Sequence, residues 1–82
     1  MKLNYSSPRV AAALKEAPLG VRKAFIKQAA LLAGNLHHPS LRAKKYDETN
    51  DIWQARVNRD WRFYFMIVDD AYVILDVTPH PK

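Results

Sequence analysis

The chain has 82 residues, of which 49% are apolar, so we expect one folded domain spanning residues 1–82 rather than disorder or two domains. It has no cysteine, no apolar run of membrane-spanning length and no N-terminus resembling a signal peptide, which excludes disulfides and predicts a cytoplasmic protein without membrane contact. Its net charge of +5 favours an anionic partner, and nucleic acid is the natural candidate.

Two helices are predicted after a short strand at Lys2–Tyr5. The first begins at Ser6–Ser7, which offer a capping hydroxyl, and continues from Pro8, whose missing N–H costs nothing in the first turn. Pro18 starts the second helix, and Gly34-Asn35 ends it because both residues tolerate a left-handed cap. The apolar stripes of the two helices are Val10, Ala13, Leu14 and Ala17, and Val21, Phe25, Gln28–Ala29 and Leu32.

The second half of the chain reads as strands. A strand at Leu41–Asp47 and a turn at Glu48–Asp51 precede three strongly patterned strands at Ile52–Asn58, Trp61–Val68 and Tyr72–His80. This order predicts an α+β fold, βααββββ, with two helices packed on an antiparallel sheet of four to five strands.

Alternation at period two gives the three last strands an apolar face and a polar face. The predicted core face comprises Trp53, Ala55, Val57, Trp61, Phe63, Phe65, Ile67, Val73, Leu75 and Val77. The opposite face carries Gln54, Arg56, Arg62, Tyr64, Asp76, Thr78 and His80, and we place the function there.

The connections between these strands set their register, because both apolar faces must lie on one side of the sheet. Three-residue loops at Asn58–Asp60 and Asp69–Ala71 satisfy this requirement. The predicted neighbours are Val57 and Trp61, Arg56 and Arg62, Val68 and Tyr72, Arg62 and Thr78, and Asp60 and His80. Two arginines directly across a strand pair repel each other, and a bound phosphate would offset that repulsion.

Metal-free RNA cleavage needs a base for the 2′-hydroxyl, an acid for the departing 5′-oxygen and cations for the charge on phosphorus. His80 suits acid or base work because histidine changes charge near neutral pH, and a nearby Asp60 would help orient it. Arg56 and Arg62 suit the phosphate because a guanidinium binds two oxygens at once. The competing interpretation is that neither residue is catalytic: His80 would be an ordinary surface histidine, and the aliphatic part of the Arg62 side chain would cover the sheet.

Further candidates for RNA contact lie on the same strands. They are Arg42, Lys44, Lys45, Gln54, Trp61 and Tyr64. The three basic residues could grip the RNA backbone or simply protect a solvated sheet edge, and Tyr64 could stack on a base or cover the sheet. His37-His38 does not predict a metal site, because adjacent histidines in a Pro-bounded loop cannot easily share one ion. No cofactor is expected.

The chain resembles the RelE/ParE superfamily of type II toxin–antitoxin toxins over nearly its whole length. The resemblance lies in the two helices, the segments Ile52–Val57 and Asp60–Phe65, the Asp69-Asp70 pair and the closing strand to His80. It implies the RelE-like fold, a cognate antitoxin as partner and, for the RNA-cleaving members, mRNA cut in the ribosomal A site.

The resemblance also implies roles for single residues. Arg62 matches a phosphate-stabilising arginine of RelE- and YoeB-like toxins, and Arg56 matches a basic catalytic position of RelE. His80 matches the C-terminal catalytic histidine of YoeB-like toxins, and YafQ-like toxins carry an Asp-Trp pair and a histidine at Asp60, Trp61 and His80.

The departures from the family concern the base. The YoeB glutamate has no clear counterpart, Gln54 replaces a RelE lysine, and Pro81 stands where YoeB has a terminal tyrosine. Lys44, Lys45, Asp60 or His80 itself remain candidates for the base. Two alternatives to a nuclease also stay open: a ParE-like inhibitor that binds DNA gyrase, and an inactive member that only binds an antitoxin.

Overall fold

The computed structural model describes residues 2–5 and 8–80 and has the predicted α+β fold, with two helices on a five-stranded sheet in the order βααββββ. The elements are β1 (Lys2–Tyr5), α1 (Pro8–Glu16), α2 (Leu19–Gly34), a 3₁₀ turn (Pro39–Leu41), β2 (Lys44–Asp47), β3 (Ile52–Arg56), β4 (Trp61–Val68) and β5 (Ala71–Pro79). Within the described residues, neither helix has the length and apolarity needed to cross a membrane.

The strands lie in the order β1-β5-β4-β3-β2. The pairs β2–β3, β3–β4 and β4–β5 are antiparallel, as predicted, whereas the edge strand β1 runs parallel to β5, which makes the sheet mixed. The two helices carry the chain from β1 at one edge of the sheet to β2 at the other, and β5 reaches β1 only after β2, β3 and β4 have been laid down.

Helix α2 packs its predicted face against the sheet. All five predicted positions, Val21, Phe25, Gln28, Ala29 and Leu32, are buried, and the Phe25 ring meets Phe63 edge-on with centroids 5.4 Å apart. The helix ends at Gly34 as predicted, but Asn35 is extended, with φ of −162°, rather than left-handed. Its N–H still donates to the Leu31 carbonyl, so the last turn is satisfied without a left-handed cap. The proposed cap at Ser6–Ser7 lies outside the described residues.

The predicted register holds between β3 and β4, where Arg56 lies opposite Arg62. Between β4 and β5 it holds only at one end: Arg62 faces Thr78, but Val68 faces Ala71 rather than Tyr72. The turn has two residues, Asp69 and Asp70, with Asp69 at a left-handed φ of 55°.

A β-bulge at Leu75 compensates for the shorter turn. Tyr64 pairs with Asp76 and the next residue, Phe65, pairs with Ile74, so β5 carries one extra residue. The prediction that Val73 and Leu75 belong to the core is therefore wrong, and Tyr72 and Ile74 are buried instead. Ile67, at the far end of β4, is exposed rather than buried.

Strand β2 is shorter than predicted. The chain first makes a 3₁₀ turn that buries Leu41, and Arg42 follows with φ 47° and ψ 42°, a left-handed conformation incompatible with a strand. The strand begins at Lys44, and a register shift between Lys45 and Asp47 interrupts its pairing with β3. Arg42 therefore belongs to the loop and not to the edge strand.

Candidate active site

A cleft of about 330 Å³ opens at the end of the polar sheet face where β3, β4 and β5 meet the loop before β2. Its lining residues are Arg42, Lys44, Gln54, Ala55, Arg56, Arg62 and His80. The structure thus brings together the predicted histidine, both predicted phosphate-binding arginines and three of the six predicted RNA-contacting residues.

Arg62 is held in place by backbone oxygens rather than by an acid. Its Nη1 donates to the carbonyls of Asn58 at 2.8 Å and Trp61 at 2.9 Å, with a longer contact to Arg59 at 3.4 Å. The Asn58 side chain fixes the same loop, because its Oδ1 accepts from the backbone N–H groups of Asp60 and Trp61, each at 2.9 Å. The guanidinium is therefore oriented by backbone oxygens and forms no ion pair among the described residues.

The cleft carries an excess of positive charge. Burial, and then the positive charges of Arg56 and Arg42, lower the pKa of Arg62, against the opposing effects of Tyr64 and Asp60. Within residues 2–5 and 8–80, the ion pairs are Arg9–Asp76 and Lys45–Asp51, and neither involves a cation of the cleft. No carboxylate of the described chain lines the cleft, so an anion would relieve the repulsion among its cations.

Gln28 ties three elements together beneath the cleft, and sequence reasoning placed it only as part of an apolar face. It is 6% exposed, and its Nε2 donates to the carbonyls of Arg56 at 2.9 Å and Ser40 at 3.0 Å. Its Oε1 accepts from the Ser40 hydroxyl at 3.3 Å. The sequence signal is a lone glutamine in an apolar helical stripe, which must find polar partners when buried.

His80 follows the last strand and is held by its backbone. Its N–H donates to the Asp60 carbonyl at 2.6 Å, which confirms the predicted proximity of the two residues. The side chain is exposed and lines the cleft beside Arg62 and Arg56. A histidine at this place can exchange protons with a phosphodiester bound to the two arginines.

Four other predicted site residues do not line the cleft. Lys45 donates to Asp51 at 2.8 Å and lies over the Trp53 ring, 5.1 Å from its centroid, on the opposite face of the sheet. The Asp51 hydrogen bond raises the pKa of Lys45. Asp60 contributes its carbonyl, Trp61 packs against the core, and Tyr64 lies next to the cleft with its hydroxyl accepting from Gln54 Nε2 at 3.1 Å.

The His37-His38 pair serves the loop. His38 Nδ1 accepts from the Ser40 backbone N–H at 3.2 Å and thereby caps the 3₁₀ turn. It also lines a larger hollow of about 570 Å³, which shares Arg42 and Arg56 with the cleft. Among the residues that the structure describes, no three His, Cys, Asp or Glu side chains form a cluster able to hold a metal ion.

Comparison with solved structures finds the same fold in toxins of toxin–antitoxin systems. The archaeal RelE of the RelE–RelB complex from Pyrococcus horikoshii OT3 superimposes with a TM-score of 0.76 at 20% identity, over 95% of this chain and 92% of that chain. A YoeB/ParE toxin from Agrobacterium tumefaciens gives a TM-score of 0.80 at 9% identity, over 99% and 100% of the two chains.

The chain has the fold of RelE and YoeB toxins. A third neighbour, from the heterotetrameric YoeB–YefM toxin–antitoxin complex of Staphylococcus aureus, gives a TM-score of 0.76 at 15% identity over 99% and 98% of the chains. No family model and no curated protein matches the sequence. The resemblance to the RelE/ParE superfamily is thus confirmed at the level of the fold, across nearly the whole length of this chain and of the chains compared with it.

Proposed function

We propose that this chain is the toxin of a type II toxin–antitoxin system and cleaves mRNA on the ribosome, in the cytoplasm, as a single domain of residues 1–82. The observation that carries the proposal is the cleft itself. It joins His80 to four cations, Arg42, Lys44, Arg56 and Arg62, and no carboxylate of the described residues lines it. The shared fold with RelE and YoeB toxins supports it independently.

In the proposed reaction a base removes the proton of the RNA 2′-hydroxyl, and the oxygen attacks the adjacent phosphorus. The bond to the 5′-oxygen breaks, His80 protonates that leaving oxygen, and a 2′,3′-cyclic phosphate remains. Arg56 and Arg62 hold the phosphate and stabilise its extra negative charge in the transition state. Of the candidates for the base, Lys44 and His80 line the cleft, whereas Asp60 and Lys45 do not.

The proposed partners follow from the same surface. Cations that line an open cleft and form no ion pair among the described residues can bind the RNA phosphate backbone without a specialised motif. A cognate antitoxin with an acidic segment would cover the same cluster, by electrostatic pairing with these cations. The structural neighbours crystallised with RelB and YefM antitoxins support this second partner.

The decisive experiment is primer extension on a reporter mRNA in cell-free translation. We expect cuts with wild type that require translation, and none with His80→Ala, whose backbone bond to Asp60 survives the substitution. Arg62→Ala should reduce cleavage about 100- to 1000-fold, the usual effect of removing one group that stabilises developing negative charge. His37→Ala is the matched control, an exposed histidine outside the cleft, and should cut like wild type.

Two results would contradict the proposal. Cleavage by His80→Ala at the wild-type rate would remove His80 from the mechanism. The absence of cuts with folded wild type would remove the nuclease function altogether, and inhibition of DNA gyrase supercoiling by the wild type would then identify a ParE-like toxin.

A further inference from the structure

A different hollow, separate from the one that His38 lines, lies beside the cleft on the polar face of the sheet. Its walls are mainly aromatic and aliphatic, and it is called the hollow from here on. It has a volume of about 400 Å³, and its lining includes Tyr46, Ile52, Tyr64, Leu75 and Asp76. Tyr46 is 62% exposed although it lies within a strand, and neither the proposed reaction nor the sequence pattern assigns it a role.

The strands explain why Tyr46 stands there. It follows Lys44 by two residues on β2, so both side chains are on the polar face of the sheet. Tyr64 follows Arg62 by two residues on β4 and supports Tyr46 from the side, with ring centroids 4.9 Å apart and an interplanar angle of 64°. The edge contact restrains the Tyr46 ring and leaves much of it open to solvent.

The hollow and the cleft are neighbours on the polar face of the sheet. Gln54 lines the cleft and donates from Nε2 at 3.1 Å to the hydroxyl of Tyr64, which lines the hollow. Along β4, two residues, about 6.8 Å, separate Tyr64 from Arg62. The Tyr46 ring lies 4.9 Å from the Tyr64 ring, on the same face of the sheet, so an RNA strand with one phosphate among the arginines can bring an adjoining base to Tyr46.

We propose that the hollow is a stacking site for one unpaired nucleobase of the RNA whose backbone lies in the cleft, with Tyr46 as the stacking surface. This rests on the proposed function and adds a substrate-binding residue to it. Stacking on an aromatic ring suits any base, and it is the usual way in which proteins hold single-stranded RNA beside a basic groove.

The wall of the hollow favours a base over an apolar peptide side chain. Asp76 Oδ2 accepts from Arg9 at 3.2 Å and Oδ1 from the Val77 N–H at 2.9 Å, and a carboxylate has further lone pairs to offer. An apolar side chain would leave these unused, whereas the amino groups of adenine, cytosine and guanine can donate to them. The cations of the adjoining cleft also favour a nucleotide over an apolar peptide side chain, because they attract the phosphate that accompanies the base.

The test is binding of a short fluorescein-labelled 2′-O-methyl RNA, which cannot be cleaved, measured by fluorescence anisotropy. A matched series carries one abasic nucleotide at each position in turn. We expect Tyr46→Ala to weaken binding of the complete oligonucleotide about 5- to 150-fold, the range for loss of one stacked base, and Tyr46→Trp to retain it. Tyr5→Ala is the control, because Tyr5 is similarly exposed, at 54%, but lies on β1.

The abasic series identifies the stacked base. At one position the wild type should lose as much affinity as Tyr46→Ala loses, and Tyr46→Ala should lose nothing further. Arg62→Ala should weaken every oligonucleotide alike, since it contacts backbone. Equal binding of the complete oligonucleotide by wild type and Tyr46→Ala overturns the proposal. Should the wild type not bind the oligonucleotide, the stacking site is refuted, and the translation assay still decides nuclease activity separately.

Discussion

Gln28→Met tests whether the buried glutamine holds the loop and β3 in place. Methionine has a similar volume and helix propensity, so the substitution removes the polar atoms while nearly preserving the packing. It deletes two donated hydrogen bonds, to the Arg56 and Ser40 carbonyls, and one accepted from the Ser40 hydroxyl.

The expected cost is about 2–3 kcal/mol. Each hydrogen bond contributes about 1 kcal/mol net, and a buried carbonyl left without a donor costs about 1–3 kcal/mol. The Arg56 carbonyl carries most of this, because Ser40 is exposed and water can replace its bonds. A domain of this size has a total stability of about 4–12 kcal/mol, so the loss is a large fraction.

Urea unfolding followed by the fluorescence of Trp53 and Trp61 measures this cost. With a slope near 1 kcal/mol per molar urea, the midpoint should fall by about 2–3 M. Lys23→Met, at an exposed position of the same helix, should stay within about 0.5 kcal/mol of wild type. A midpoint for Gln28→Met equal to that of Lys23→Met would refute the reasoning and mean that water satisfies both carbonyls.

Three further predictions concern other parts of the molecule. Lys44→Met should reduce the slope of log affinity for single-stranded RNA against log salt concentration by about 0.7. Lys45→Met should leave the slope unchanged, because that side chain lies on the opposite face of the sheet. Equal slopes for the two variants would contradict the assignment of Lys44 to the RNA backbone. Hydrogen bonds from the Asn50 side chain and then its backbone lower the pKa of Asp47, so their stabilisation is present above the ordinary carboxyl range and lost as pH falls through the folded-state value. Asn50→Ala should therefore lower the urea midpoint at pH 7 and have less effect near pH 2. A loss in midpoint of the same size at both pH values would contradict this prediction. Phe63→Ala should cost about 3–5 kcal/mol, visible as loss of cooperative melting by circular dichroism near 37 °C, and a wild-type melt would exclude a central core role.

The register of β3 and β4 could be predicted because, on each strand, only one of the two alternating sets of side chains is apolar, and both apolar sets must face the core. Ala55, Val57 and Phe63 alternate with polar residues, and a slip by one position would expose all of them. The same constraint placed Arg56 opposite Arg62, so the centre of the candidate site followed from burial alone.

The first half of β5 could not be predicted in this way. Tyr72–Leu75 is apolar at every position, so either parity buries apolar side chains and the pattern does not reveal the bulge. Arg42 and Gln28 show a second limit. Their positions depend on a 3₁₀ turn anchored by Leu41 and on hydrogen bonds between helix, loop and strand, which link residues far apart in the sequence. Tyr46 was missed because its contact with the Tyr64 ring joins two strands that are distant in sequence, and alternation along β2 gives no sign of that contact.

The parallel pairing of β1 with β5 has a consequence for how the molecule assembles. Lys2 lies beside Ala71, so nearly all of the described chain must be synthesised before this edge can close. Closing so long a loop costs more entropy than forming a hairpin, and contacts distant in sequence slow folding. The cleft has the same dependence, since His80 meets Asp60 only after β5 has joined the sheet. On the proposed function, the nascent chain therefore has no assembled nuclease site with which to attack the ribosome that is making it.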